Sequence, residues 1–291
     1  MPEPRHARRV DHHYLTNHAY ADSSRLGARI SIYDYQQPKI DLEAEVLNAC
    51  GPVQDLRVLD VGSGNGRHGR TLAHAGAHVL ATDLSKGMLD SVDGVWAKVQ
   101  SDAEALPITT GSFDRILAAH MLYHLPHPER AIEEFARVLN PAGKLVVTSN
   151  TESHLIEARL LWNELLDKNG LDVANSDLSL MNLELPTDRL LTEVQRHFVD
   201  VDYHLVNSLI ILTEPAALVT YAASTTAAMT TNELGYDLLP AFGERIREHI
   251  LREGEYRLTT EVILVTATQK ARPTPRNSTI GGGSRCDLPR P

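Results

Sequence analysis

The sequence predicts an α/β fold, with a mostly parallel sheet covered by helices on both faces. Three observations carry this. Short apolar runs alternate with helix-spaced segments between residues 56 and 149, the rhythm that builds parallel sheets. The first run leads into glycines 62, 64 and 66. The 291-residue chain is 42% apolar and 23% charged, which suits a domain able to bury a sizeable core.

The elements follow in order. Residues 1–38 are polar and rich in His, Tyr and Arg. Leu42, Val46, Leu47 and Cys50 have helical spacing, ended by Gly51-Pro52. Leu56 to Val61 reads as a buried strand, and a helix follows from Arg67 to Ala75. Ala77 to Thr82 is a second strand, and Ser85 caps a helix containing Met88 and Leu89. Val95 to Gln100 and Asp114 to Ala119 are the third and fourth strands. Pro128 suits the first turn of a helix whose face is Ile132, Phe135, Ala136 and Leu139. Residues 140–143 turn into a fifth strand, Lys144 to Ser149.

Beyond residue 150 the alternation loosens. Helices are expected over 152–166, 188–198, 214–224 and 241–252. Strands are expected over 200–212 and 256–268, the last of them strong. Residues 169–186 read as a loop that could gate a site. Residues 271–291, with prolines and three consecutive glycines, read as a disordered tail. Leu155, Leu160, Leu161, Trp162, Leu165 and Leu166 read by default as helix core.

Composition excludes several function classes. The formal charge is −10, from 28 Lys and Arg against 38 Asp and Glu, which argues against a phosphate-backbone partner. No apolar run reaches the ~18 residues of a membrane span. MPEPRHARRV lacks the apolar centre of a secretory signal, so a cytoplasmic protein is expected. Two cysteines make neither a disulfide framework nor a thiolate zinc site. His12, His13 and His18 lack supporting carboxylate or cysteine spacing, so no metal is expected.

The chemistry sits in VLDVGSGNGRHG. A strand enters a glycine turn and then a helix N-terminus, where ligands approach an open sheet. A dinucleotide fingerprint would be G-x-G-x-x-G/A, and Arg67 breaks that spacing. Asp83, ending the second strand, can accept from ribose hydroxyls. Asp102, past the third, can accept from an adenine amino group.

With VLATDLSKGML, SDAEALPITTGSFDRILAAHMLYHLPHP and FARVLNPAGKLVVTS in this order, the chain resembles the class I S-adenosylmethionine-dependent methyltransferases. The resemblance covers residues 56–149 and is closest to the small-molecule subgroup. The N-terminal part is similar to actinobacterial enzymes, many of them in natural-product pathways. It implies a Rossmann-like sheet of seven strands whose last strand is antiparallel. It also implies a lid over residues 1–38, a domain over 39–270 with its cofactor half at 39–150, a substrate-covering insert after the fifth strand at 151–224, and closing elements at 225–270.

The resemblance further implies S-adenosylmethionine as cofactor. Asp60, Gly62 and Gly64 would line its methionine end and Asp83 its ribose. Leu84 and Met88 would flank the adenine, and Asp102 and Ala103 would read its edge. His120 would lie near the sulfonium. In the lid, Arg29 could pair with the methionine carboxylate and Tyr20, Tyr33 or Tyr35 could bind or shape the pocket. Methyl transfer mainly needs the nucleophile held in line. Where a base is needed, His120, His124 and Tyr123 are the candidates. The acceptor is expected to be a small molecule, aromatic or indole-type, attacked at C, N or O. Oligomeric state stays open, as does a non-methylating relation such as a cyclase. An RNA methyltransferase fits the acidic charge poorly.

Overall fold

The computed structural model describes residues 11–21, 24–171, 185–229 and 234–269. The chain starts with α1 (His12–Tyr14), which continues as a π-helical turn Leu15–Ala19. Then come α2 (Ser24–Ile30), a 3-10 turn Ser31–Tyr35 and the two-residue β1 (Gln36–Gln37). The alternating α/β half follows: α3 (Leu42–Cys50), β2 (Arg57–Val61), α4 (Arg67–His74), β3 (His78–Asp83), α5 (Lys86–Asp90), β4 (Ala97–Gln100), β5 (Phe113–Ala119), α6 (Pro128–Val138) and β6 (Leu139–Asn150). The remainder is α7 (Ile156–Lys168), α8 (Thr187–His197), β7 (Phe198–Leu212), α9 (Ala216–Met229), α10 (Leu234–Glu253) and β8 (Tyr256–Gln269).

The sheet has eight strands in the order β1-β7-β8-β6-β5-β2-β3-β4. This corrects the expected seven. The extra strand is β1, which pairs antiparallel with Leu209 and Ile210 of β7. Two glutamines carry no apolar alternation, so nothing in the sequence announces a strand there. The ladders β2–β3, β2–β5, β3–β4 and β5–β6 are parallel. The last strand, β8, runs antiparallel to both β6 and β7, as the resemblance implied. Residues 140–143, expected as a turn, lie within the span of β6, with Ala142 in the left-handed region at φ 61°.

Apolar clusters hold the layers. Phe135, Ile132 and Val138 of α6 pack with Leu190 and Val194 of α8 on one sheet face. Val46 and Cys50 of α3 and Leu72 of α4 pack on the other. Burial pushes the Cys50 thiol up to about 12, so it packs as an inert apolar group. Trp162 and Phe242, with ring centroids 5.1 Å apart, centre a third cluster of α7, α9 and α10. Leu155, Leu165 and Leu166 belong to it and Leu161 packs against it, whereas Leu160 faces solvent. Each fully buried large side chain contributes roughly 1.5–3 kcal/mol, so these clusters dominate the stability of the body.

The stretch 151–224, expected as a cover, supplies both a sheet strand, β7, and the helices α7 to α9. Most of the proposed gate at 169–186, and the tail 271–291, lie outside the described residues.

Candidate active site

Parallel pairing brings the carboxyl ends of β2, β3 and β5 to one edge of the sheet. Just past β2 the backbone enters the left-handed region at Gly62 and Gly64, with φ of 63° and 54°. Glycine is required at Gly62 on both counts, because a Cβ there would come within 2.7 Å of the Met121 side chain. The turn is latched to β3: the Gly64 N–H donates to Asp83 Oδ2 at 2.9 Å, and the Ser85 N–H to Oδ1 at 2.8 Å. The carboxylate, with about four lone-pair sites, still has room to accept from a ligand. Burial raises the Asp83 pKa, and the amides of Ser85, Gly64 and Leu84 oppose that rise.

Tyr20, Arg29, Gly62, Gly64, Asp83, Leu84, Met88, Asp102, Ala103, His120, Tyr123 and His124 all line one cavity of about 330 Å³, within the usual range for small-ligand sites. Asp60 does not. It is 2% exposed and lies beneath the turn, against Gly69 of α4. Its expected place at the methionine end is thus corrected to a buried position below it. Burial and the neighbouring Asp83 push its pKa up to about 7, against the Gly69 amide.

The N-terminal segment covers this cavity with polar contacts. Ser85 Oγ accepts from the Met88 N–H at 3.2 Å and donates to the Tyr20 carbonyl at 2.7 Å. Arg29 Nη1 donates to Tyr20 Oη at 2.8 Å, and the same oxygen lies 2.8 Å from His124 Nε2. His12 Nδ1 sits 3.6 Å from Asp102 Oδ2. Gly87 lets the cover approach: a Cβ there would lie 1.9 Å from the Ala21 carbonyl oxygen. A Gly87→Ala variant will therefore push the cover off α5. Helix propensity favours alanine by about 1 kcal/mol, so melting should show little loss of stability, while calorimetry should show about tenfold weaker S-adenosylhomocysteine binding.

The base candidates separate. His124 is spent on Tyr20, so it braces the cover. Tyr123 packs against the main core and burial raises its pKa well above the ordinary value. His120 sits at φ 53°, a left-handed conformation rare for a non-glycine residue and a mark of functional sites. Burial, with His68, His154, Arg67 and His124 nearby, pushes its pKa down to about 3. It is neutral and a poor proton acceptor. Tyr35 lies outside the cavity lining and is exposed.

Several cavity residues escaped the sequence reading: Arg67, His68, Asn150, Tyr221, and His154 behind Tyr33. His154 and Asn150 follow the fifth strand, and the rule that ligands gather at carboxyl strand ends points to them. Tyr221 lies mid-helix with no local signal.

The site also fits an adenosyl cofactor on its own terms. Ser63 Oγ, Ser101 Oγ and Arg29 Nε are buried cavity atoms without a partner, and such atoms are satisfied by ligands. A glycine turn, a strand-end carboxylate and a covered cavity at the carboxyl edge of a parallel sheet define a nucleoside-binding α/β enzyme.

Residues 59–147 match the family described as "Methyltransferase domain". An uncharacterized methyltransferase from Mycobacterium tuberculosis is 30% identical over 216 residues, 72% of this chain and 79% of its own length. A demethylmenaquinone methyltransferase from Clavibacter sepedonicus is 36% identical over 105 residues, and this match spans 34% of this chain and only 43% of that protein. Phosphoethanolamine N-methyltransferase 2 of Haemonchus contortus, solved with S-adenosylhomocysteine, shares the fold at 18% identity and a TM-score of 0.54, over 90% of this chain and 60% of that one. The chain belongs to the class I S-adenosylmethionine-dependent methyltransferases, enzymes whose cofactor is S-adenosylmethionine.

Proposed function

We propose that the protein methylates a small aromatic molecule, at C, N or O, in a biosynthetic pathway of secondary metabolism. The observation that carries this is the far end of the cavity, whose polar groups are mostly neutral and cyclic: Tyr33, Tyr221, His68 and His120. Burial holds His68 at about 4 and His120 at about 3, so both are uncharged at pH 7 and neither repels a cationic sulfonium. The related demethylmenaquinone methyltransferase, by its name, methylates demethylmenaquinone. The net charge of −10 disfavours a nucleic-acid acceptor.

In this reading Arg29 takes the methionine carboxylate, and Gly62 and Gly64 present backbone to the methionine end. Asp83 accepts from the ribose, Leu84 and Met88 flank the adenine, and Asp102 and Ala103 meet its edge. Bound S-adenosylmethionine supplies an electrophilic methyl carbon. The residues of the chain hold the nucleophile in line and keep water out, the terms that matter most here. His120 and Tyr123 shape the acceptor's approach.

Calorimetric titration with S-adenosylmethionine, S-adenosylhomocysteine and NADH is the first test. Micromolar binding of the first two without the third is expected. A screen of phenols and indoles for turnover then follows. Binding of NADH alone would overturn the assignment of the site.

A further inference from the structure

The far end of the cavity contains a hydrogen-bond chain with a fixed direction. The Glu261 N–H donates to His154 Nδ1 at 3.1 Å. A ring nitrogen that accepts carries no proton, so the proton of the neutral imidazole is on Nε2. His154 is fully buried, which pushes its pKa down to about 4 and keeps it neutral. Nε2 lies 2.9 Å from Tyr33 Oη, so the imidazole donates and the phenol accepts. The Tyr33 proton is then directed elsewhere, and Tyr33 lines the cavity. Three donors therefore stand in series, each polarising the next, and the last is left to donate into the cavity that Tyr33 lines.

We propose that Tyr33, positioned by His154, donates a hydrogen bond to the oxygen of a phenol-type methyl acceptor and favours its phenolate form. The proposal rests on the methyltransferase reading above and names its acceptor class. The charges at this end narrow the choice. Glu43 is taken by Arg67 in a close ion pair, so an ammonium-bearing acceptor finds no unpaired carboxylate at this end among the described residues. Arg67 is paired through Nε with that same carboxylate, so a carboxylate- or phosphate-bearing acceptor meets a neutralised pair there rather than an unpaired cation. Ile30, Ile40, Val206 and Val262 supply apolar walls. A weakly acidic oxygen on a flat ring meets both conditions. The groups that face Tyr33 electrostatically are Tyr221 and Arg67, and His68 and His120 stand on the same cavity wall. The imidazoles are too weakly basic to remove the acceptor's proton, so the donor chain instead makes the oxygen more acidic and the proton leaves to bulk water as the phenolate binds.

The test uses 4-nitrophenol, whose anion absorbs visibly, with the full chain saturated by S-adenosylhomocysteine. S-adenosylhomocysteine must bind first. If it does not, the methyltransferase reading fails before the acceptor is tested. In the loaded wild type, saturable 4-nitrophenol binding is expected, with ionisation about one pH unit lower than in buffer, a tenfold preference for the anion. Tyr33→Phe should abolish that shift with unchanged S-adenosylhomocysteine affinity. His154→Asn should leave about a threefold preference, and it serves as the second variant if Tyr33→Phe does not fold. Absence of saturable binding to the loaded wild type, or the same titration in wild type and folded variant, would overturn the proposal.

Discussion

Asp83→Ala will raise the dissociation constant of S-adenosylhomocysteine about 100-fold, roughly 3 kcal/mol. Two losses add. The ligand loses charge-assisted contacts to a carboxylate. The turn loses its latch, because the Gly64 and Ser85 amides both donate to this side chain and an alanine leaves them unmatched. The sheet should stay folded, since Asp83 ends β3 and belongs to none of the apolar clusters. Calorimetry measures the affinity and a thermal melt checks the fold. Wild-type affinity in the variant would show that the ribose site lies elsewhere.

Asp60→Asn should stabilise the free protein strongly and only at higher pH. Below the ordinary aspartate range the carboxyl is neutral folded or unfolded, and Asp60 contributes no pH dependence. Between about pH 4 and 7 the folded protein holds a proton that the unfolded chain has released. Stability therefore falls as pH rises through this window, and the full penalty is present above about 7. The raised value, about 7 against an ordinary 3.8, corresponds to a ceiling of about 4 kcal/mol. Asparagine does not ionise, so its melting temperature should exceed wild type clearly at pH 8 and match it near pH 4. Equal gains at both pH values would mean that packing, and not ionisation, sets the difference. The same reasoning predicts a smaller gain in the presence of the cationic cofactor, which favours the ionised carboxylate.

The cofactor half was legible because its signals are local. Strand runs, glycines and strand-end aspartates sit within residues 56–149, and β2 to β6 emerge within a few residues of expectation. Asp60 was misplaced because its motif position was read without the α4 backbone that buries it. β1 was missed because its pairing with β7 bridges residues far apart in sequence, with no pattern of its own. The acceptor end was the least legible part. Tyr33, His154 and Glu261 come from three distant segments, and only the direction of their hydrogen bonds gives them a shared role. His124 looked like a base from its histidine chemistry, but its partner Tyr20 lies 104 residues away.

The cover of the cavity is also spliced into the sheet. Its C-terminal end is β1, hydrogen-bonded to β7, and next to it Ile32 is fully buried in the cluster of α7, α9 and α10, while the outer part adds the buried Leu15 and polar contacts each worth only about 1 kcal/mol net. The root is thus the more firmly held part, and any opening of the outer part leaves it tethered to the sheet. Such a tethered arm faces its own docking site at millimolar effective concentration. Reclosure is a unimolecular event whose rate is independent of how dilute the enzyme is. A free peptide of the same sequence would need comparable millimolar levels to cover the site as often.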